Sequence, residues 1–370
     1  MSSLNEQVCG KALKLGVPLH VHLDVTYRCN ERCIHCYLDH EDHGEMTTAE
    51  IKDVINQLAE AGTFHLTISG GEIMLRPDLF EIIEYARSLL FAVKLKTNGI
   101  LIGEKAAERI KKLGVQDVQI SIYSHRPEVH DLITKVPGSL HRSIEAIRSL
   151  KSQGLRVRIA IPLMRQNMFD YPGVKALAEE LGVGFTLDPT ITPKMDGDHG
   201  VVDLRIPGAM LKQLFTDKDL VANPDEFCLP SAPADENSLS DFPCSAGQTA
   251  AYISPYGDVY PCVQFPLPCG NLRSEKFLDV WRDSKQLEEV RSIHMRDLPT
   301  CSGCSHVTGC TRCPGLAYQE GNMRGPSTAD CEKSFMRTGI PTANMIAKSK
   351  QAEKDHLVQI ETLVASTAAK

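Results

Sequence analysis

The sequence has no long apolar run, no block of basic residues and a single tryptophan. No stretch approaches the roughly 18 consecutive apolar residues of a membrane-spanning helix, so none is expected. A net charge of −7 without a basic block argues against nucleic acid as a main partner. The opening segment, Met1 to Lys11, lacks the apolar core of a secretory signal, which leads to the expectation of a soluble, cytoplasmic protein. At 370 residues, 42% apolar and 24% charged, the chain can bury a core for one large domain and a smaller one.

Cysteine, by contrast, is plentiful, with 13 in all. Small secreted domains use such numbers for disulfides. A chain of this length without a secretory signal points instead to a reducing compartment and to metal. Cys29, Cys33 and Cys36 form a C-x3-C-x2-C run. Three thiolates are one short of the four that close a [4Fe–4S] cluster, so one iron stays open to a substrate or cofactor. Free cysteines are commonly buried as small hydrophobes, and paired ones hold structural zinc. The Arg, Asn, Glu and His residues between these three do not look like core, while His35 and His40 leave a zinc site open.

Short β-rich runs alternate with helical patterns: His20 to Val25, His65 to Ser69, Val93 to Thr97, Val118 to Ile122, Val157 to Ile161 and Phe185 to Asp188. Thr47 and Glu50 stand at capping-box spacing before Ile51, Val54, Ile55 and Leu58, which share one helical face. Gly62, Gly114, Gly154 and Gly182 each end a helical pattern, where a left-handed residue is expected. Six such units predict an α/β fold, a partial (β/α)6 barrel resembling a TIM barrel, with its chemistry on the loops after the strands. The cysteine run follows strand one. Ser69-Gly70-Gly71-Glu72 follows strand two, its glycines permitting close backbone approach and its carboxylate suited to an ammonium group.

The C-x3-C-x2-C run behind a first strand, together with Gly-Gly-Glu behind the second, resembles the radical S-adenosylmethionine (SAM) enzymes. The resemblance implies that Cys29, Cys33 and Cys36 hold the catalytic cluster and that SAM chelates its open iron. One electron then cleaves SAM to a 5′-deoxyadenosyl radical. It also implies that Gly70, Gly71 and Glu72 grip the SAM amino group, that His35 contacts adenine through its backbone, and that Asn98, Ser121 and Leu163 touch the rest of SAM. Ile73 replaces the proline that often follows the motif.

From Thr190 to Phe242, frequent prolines and acidic residues break the rhythm, apart from a short helix near Met210 to Phe215. A second constellation follows: Cys244, Cys262, Cys301, Cys304, Cys310, Cys313 and Cys331. By spacing alone, C-x2-C-x5-C-x2-C could hold zinc. The set of seven resembles the SPASM extension, which implies two auxiliary [4Fe–4S] clusters. By order, Cys244, Cys262 and Cys313 would serve the first, with Cys228, Cys269 or an open position completing it. Cys301, Cys304, Cys310 and Cys331 would serve the second. Only Thr311 and Arg312 separate Cys310 from Cys313, where the family usually has three residues.

The expected organisation is an N-terminal extension (1–18), the barrel (19–215), a linker (216–240), the SPASM domain (241–335) and a tail (336–370) with an amphipathic helix from Ala343 to Val364. Trp281 is expected in the core. The resemblance implies C–H oxidation, cross-linking or oxidative decarboxylation of a ribosomally made peptide. It further implies a flavodoxin or ferredoxin as reductant and, because only some 18 residues precede the first strand, a separate small recognition protein. Tetrapyrrole side-chain chemistry is the alternative, and a non-catalytic iron–sulfur or zinc scaffold the third. Sulfatase maturation fits less well, since Val263 and Gln264 stand after Cys262 where that relative places an aspartate.

Overall fold

The computed structural model describes residues 4–38, 40, 42–352 and 354. It divides into two compact units, Met1–Ile206 with Ser245–Ser292, and Pro207–Cys244 with Ile293–Lys370. In the first unit the six expected strands form: β1 (His20–Thr26), β2 (His65–Gly70), β3 (Ala92–Thr97), β4 (Asp117–Ser121), β5 (Val157–Pro162) and β6 (Gly184–Asp188). Each boundary lies within about a residue of its expected place, inside the uncertainty of any boundary assignment. They pair in parallel in the order β6-β5-β4-β3-β2-β1.

Local chemistry sets the connections. The helix Thr48–Glu60 opens with a reciprocal capping box: Glu50 N–H donates to the Thr47 hydroxyl, and Thr47 N–H donates to the Glu50 carboxylate at 2.7 Å. Its buried face carries Ile51, Val54, Ile55 and Leu58. The four helix-ending glycines all have positive φ, from 62° to 83°.

Strand alternation separates two environments. Val21, Leu23, Leu66, Ile68, Val93, Leu95, Val118, Ile120, Ile159 and Ile161 are buried. Each such side chain is worth about 1.5–3 kcal/mol when fully buried. The opposite face carries His20, His22, Asp24, His65, Lys94, Lys96, Gln119, Ser121, Arg158 and Asp188. Lys96 on β3 feels the charges of both Asp24 on β1 and Asp188 on β6. In a flat sheet β3 and β6 would stand about 14 Å apart. The sheet therefore curls, and its concave face is a polar lumen.

Beyond β1 the sheet continues with strands that sequence reading did not find. β7 (Ala250–Ile253) pairs parallel with β1, and β8 (Asp258–Tyr260) and β9 (Gly270–Asn271) follow antiparallel. This pairing places 245–292, the first part of the expected SPASM segment, with the barrel strands. Trp281 is core, as expected: it is 2% exposed, donates to Gly16 O at 2.7 Å and lies under the Arg291 guanidinium.

In the second unit the helices Gly208–Thr216 and Thr328–Thr338 pack together. Ile293, Met295 and Leu298 form a small core with Leu239, Cys301, Val307 and Met323. Residues 343–352 are helical, and most of the remainder of the expected tail helix lies outside the described residues. Among the described residues, no helix is long and apolar enough to cross a membrane.

Candidate active site

The loop after β1 carries Cys29, Cys33 and Cys36; backbone bonds to a neighbouring segment anchor it, and within it Glu31 N–H donates to Cys29 Sγ at 3.4 Å. Arg32 N–H donates to Thr134 O and Ile34 N–H to Ile133 O, each at 3.0 Å. At the start of the loop, Glu45 accepts from the Thr26 hydroxyl and Tyr27 N–H and pairs with Arg28 at 3.2 Å. All three cysteines are half-buried and free of disulfides. Burial pushes the Cys29 thiol up to about 12 and raises Cys33 and Cys36 as well. Cys33 is raised further by the charges of Glu31, Cys36 and Cys29, and Cys29 by those of Glu72, Glu31 and Cys36.

Beside this loop lies the turn after β2. Gly71 N–H donates to Thr26 O at 2.8 Å and Glu72 N–H to Arg28 O at 2.9 Å. A side chain at either glycine has no room: a Cβ at Gly70 would stand 2.1 Å from Thr26 O, and one at Gly71 would stand 2.4 Å from Arg28 O. Gly70 also has φ of 138°. The glycines thus let the second loop lie directly on the cysteine loop.

Glu72 is fully buried. Its carboxylate accepts Met74 N–H, the Thr97 hydroxyl and Asn98 N–H, all at 2.8–2.9 Å. Burial raises its pKa, opposed only by these neutral donors. In this arrangement Glu72 positions the loop after β3. Asn98 carries the link onward, its Nδ2 donating to Asn30 in the cysteine loop at 2.7 Å. Ser121 ends β4 on the lumen face, half-buried. Leu163 has no accessible surface, and its N–H donates to Asp188 O. His35 meets Tyr123 edge-on at 5.0 Å, and burial lowers its pKa to about 4.

Two residues of this site were missed. Glu31 is 2% exposed, accepts from Cys33 Sγ at 3.4 Å, and is pushed by burial up to about 7. The Tyr123 hydroxyl lies 3.6 Å from Cys33 Sγ. Glu31 was visible only as one polar residue between cysteines, and Tyr123 had no signal, because its role depends on the packing of β4 against the loop.

In the second unit, Cys301, Cys304, Cys310 and Cys331 line one cavity with His306 and Arg312. Cys313 is not among the lining residues, and the four cysteines that are there are the ones the SPASM resemblance implies for one cluster. Burial pushes Cys310 up to about 11. Arg312 donates to the backbone oxygens of Met323 and Gly325. Cys244 and Cys313 belong to this unit and Cys262 to the first. Among the described residues, no three His, Cys, Asp or Glu side chains gather as a single-ion site. Burial raises these thiols, so a bound metal must supply the charge that holds them as thiolates, and in a cubane cluster the thiolates stand on separate irons and need not gather round one ion.

A model of the radical SAM superfamily matches residues 23–174, and one of an iron–sulfur cluster-binding domain, SPASM, matches 244–305. The chain is a radical SAM enzyme with a SPASM domain. Its cofactors are SAM and [4Fe–4S] clusters. This radical SAM enzyme is 29% identical over 308 residues to the mycofactocin maturase MftC of Mycobacterium tuberculosis, covering 80% of this chain and 78% of that one. It is also 29% identical over 327 residues to the AdoMet-dependent heme synthase of Oleidesulfovibrio alaskensis, covering 80% and 82%. Its fold is similar to that of Streptococcus suis SuiB bound to precursor peptide SuiA, with a TM-score of 0.69 and 18% identity over 88% of this chain and 80% of that one.

The Glu72 bonds give a prediction. Glu72→Gln turns one acceptor oxygen into a donor and leaves a buried N–H or hydroxyl unpaired, at about 1–3 kcal/mol. The SAM-free protein should lose that much stability in a urea melt. SAM binding should weaken about tenfold as Thr97 and Asn98 shift. A carboxylate that did nothing but grip SAM would leave the SAM-free melt unchanged.

Proposed function

We propose that this enzyme oxidises a C–H bond of a ribosomally made peptide, forming a cross-link or an oxidised or decarboxylated product. The observation that carries the oxidative part is the presence of two separate cysteine constellations, the loop of Cys29, Cys33 and Cys36 and the cavity of Cys301, Cys304, Cys310 and Cys331. When bound, SAM and the first cluster supply a carbon radical strong enough to take hydrogen from an unactivated carbon. The chain's part is to hold and orient them. Gly70 and Gly71 bring the second loop against the cysteine loop, Glu72 fixes Thr97 and Asn98, and the lumen offers a polar surface to substrate.

The likeness to a mycofactocin maturase, and to a fold solved with a precursor peptide, supports the peptide class. A flavodoxin or ferredoxin as reductant, and a small recognition protein, belong to the same reading. The equal identity to heme synthases favours one second reading, a tetrapyrrole side chain.

Anaerobically reconstituted enzyme with SAM and dithionite should be given, in separate reactions, synthetic peptides encoded by short neighbouring reading frames and an iron tetrapyrrole bearing propionates. We expect a peptide to lose two hydrogens, or carbon dioxide and two hydrogens, with 5′-deoxyadenosine released. Modification of the tetrapyrrole alone would replace the peptide reading with the second one.

A further inference from the structure

We propose that His22, oriented by Asp24, is the base that accepts the substrate proton in the lumen of the sheet; this rests on the oxidative reading above. Both residues lie on the inward face of β1, and His22 Nε2 meets Asp24 Oδ1 at 2.9 Å. The other Asp24 oxygen accepts the Tyr252 hydroxyl from β7 at 2.9 Å. Since the single hydroxyl proton of Tyr252 goes to Asp24, Tyr27, 2.6 Å from Tyr252, must be the donor to it. Tyr252 also packs edge-on against His22, with ring centroids 5.5 Å apart. Both Asp24 oxygens are therefore occupied, and the imidazole is held by a hydrogen bond on one side and a ring on another.

A carboxylate only accepts, so Nε2 carries the imidazole proton and Nδ1 carries the lone pair. Asp24 has no exposed surface, whereas the His22 side chain keeps 16%. The basic nitrogen belongs to the member of the pair that a ligand can reach. Asp24 also acts through its charge on Cys36 and Tyr37 of the cysteine loop.

Burial lowers the His22 pKa, Asp24 partly restores it and Lys96 on β3 lowers it further. Tyr252 is the titratable group facing it from β7, and β2 brings Thr67, which does not titrate. Burial, the largest of these effects, favours the neutral ring, and Asp24 stabilises the imidazolium that forms when it takes a proton.

Oxidation at a C–H bond removes a hydrogen atom, an electron and a proton. With SAM and the clusters bound, the hydrogen atom would go to the 5′-deoxyadenosyl carbon and the electron to an oxidised iron–sulfur cluster held by the chain's cysteines. The proton goes to His22 Nδ1, giving an imidazolium paired with Asp24. Val263 and Gln264, after Cys262, offer no alternative acceptor.

The test uses reconstituted enzyme and diethyl pyrocarbonate, with His22 modification followed by peptide mass spectrometry across pH. We expect His22 to react at neutral pH with a midpoint below the ordinary histidine value, and Asp24→Asn to lower that midpoint further. On the substrate identified above, His22→Gln should form about 100-fold less product per 5′-deoxyadenosine released. His22→Asn, checked by circular dichroism, serves if the first variant does not fold. An unreactive His22, a midpoint unmoved by Asp24→Asn, or a wild-type product ratio in the folded variant would overturn the proposal. Wild-type enzyme that releases no 5′-deoxyadenosine would sink the oxidative reading instead, while the modification data still decide the pair.

Discussion

Replacing Cys29, Cys33 and Cys36 together by alanine is expected to abolish 5′-deoxyadenosine formation and to remove about four irons per chain of about twelve. The loop should survive the change. Its anchors are backbone bonds to Ile133 and Thr134 and the Glu45 carboxylate, and the glycine turn rests on it through Thr26 O and Arg28 O. Each substitution removes a half-buried sulfur, and at Cys29 also the acceptor of Glu31 N–H, while the anchoring bonds to other segments remain. Iron and sulfide analysis, with chromatography of dithionite-reduced reactions, measures the outcome. Retained SAM cleavage would show that the radical arises elsewhere, and stoichiometric zinc with little iron in the wild type would replace the cluster by a structural site.

Cys301→Ala with Cys304→Ala is expected to eliminate product while some uncoupled SAM cleavage persists, because these thiols belong to the cavity of the second unit. Structure adds a risk to this experiment. Cys301 packs against Ile293, Met295 and Leu298, and Cys304 Sγ accepts Ala343 N–H at 3.4 Å. A core this small depends on what its cysteines bind. Circular dichroism must therefore accompany iron content and turnover. A folded, SAM-cleaving, product-dead variant supports an electron-handling role. Full product yield would make the second cavity a brace, and loss of folded protein would make its cluster structural.

The parts of this enzyme that repeat were the legible ones. Six strands could be read because alternating residues and helix-ending glycines recur, and the cysteine loop could be read because three ligands to one cluster must sit close in sequence. Roles that depend on neighbours across the sheet were hidden. Tyr123 reaches Cys33 from β4, and Tyr252 reaches Asp24 from a strand 228 residues away. Leu163 lies just past β5, where the chain turns into the core, so its side-chain surroundings could not be read from the strand's alternation. Glu72 was recognised by type but not by surroundings, since burial depends on where Thr97 and Asn98 come to rest. β7 to β9 escaped because strands of two to four residues are too short to show a period.

The pairing of β7 with β1 orders events during synthesis. β1 emerges early and finds β2 soon, but its other edge has no partner until residues 250–253 leave the ribosome. For that interval the strand that leads into the cysteine loop is an open edge, able to pair with another chain. Closing so long a loop is slow, and it leaves nascent protein exposed to aggregation. A chain cut before Ser245 would keep Cys29, Cys33 and Cys36 and every parallel barrel strand, yet it would leave β1 uncovered.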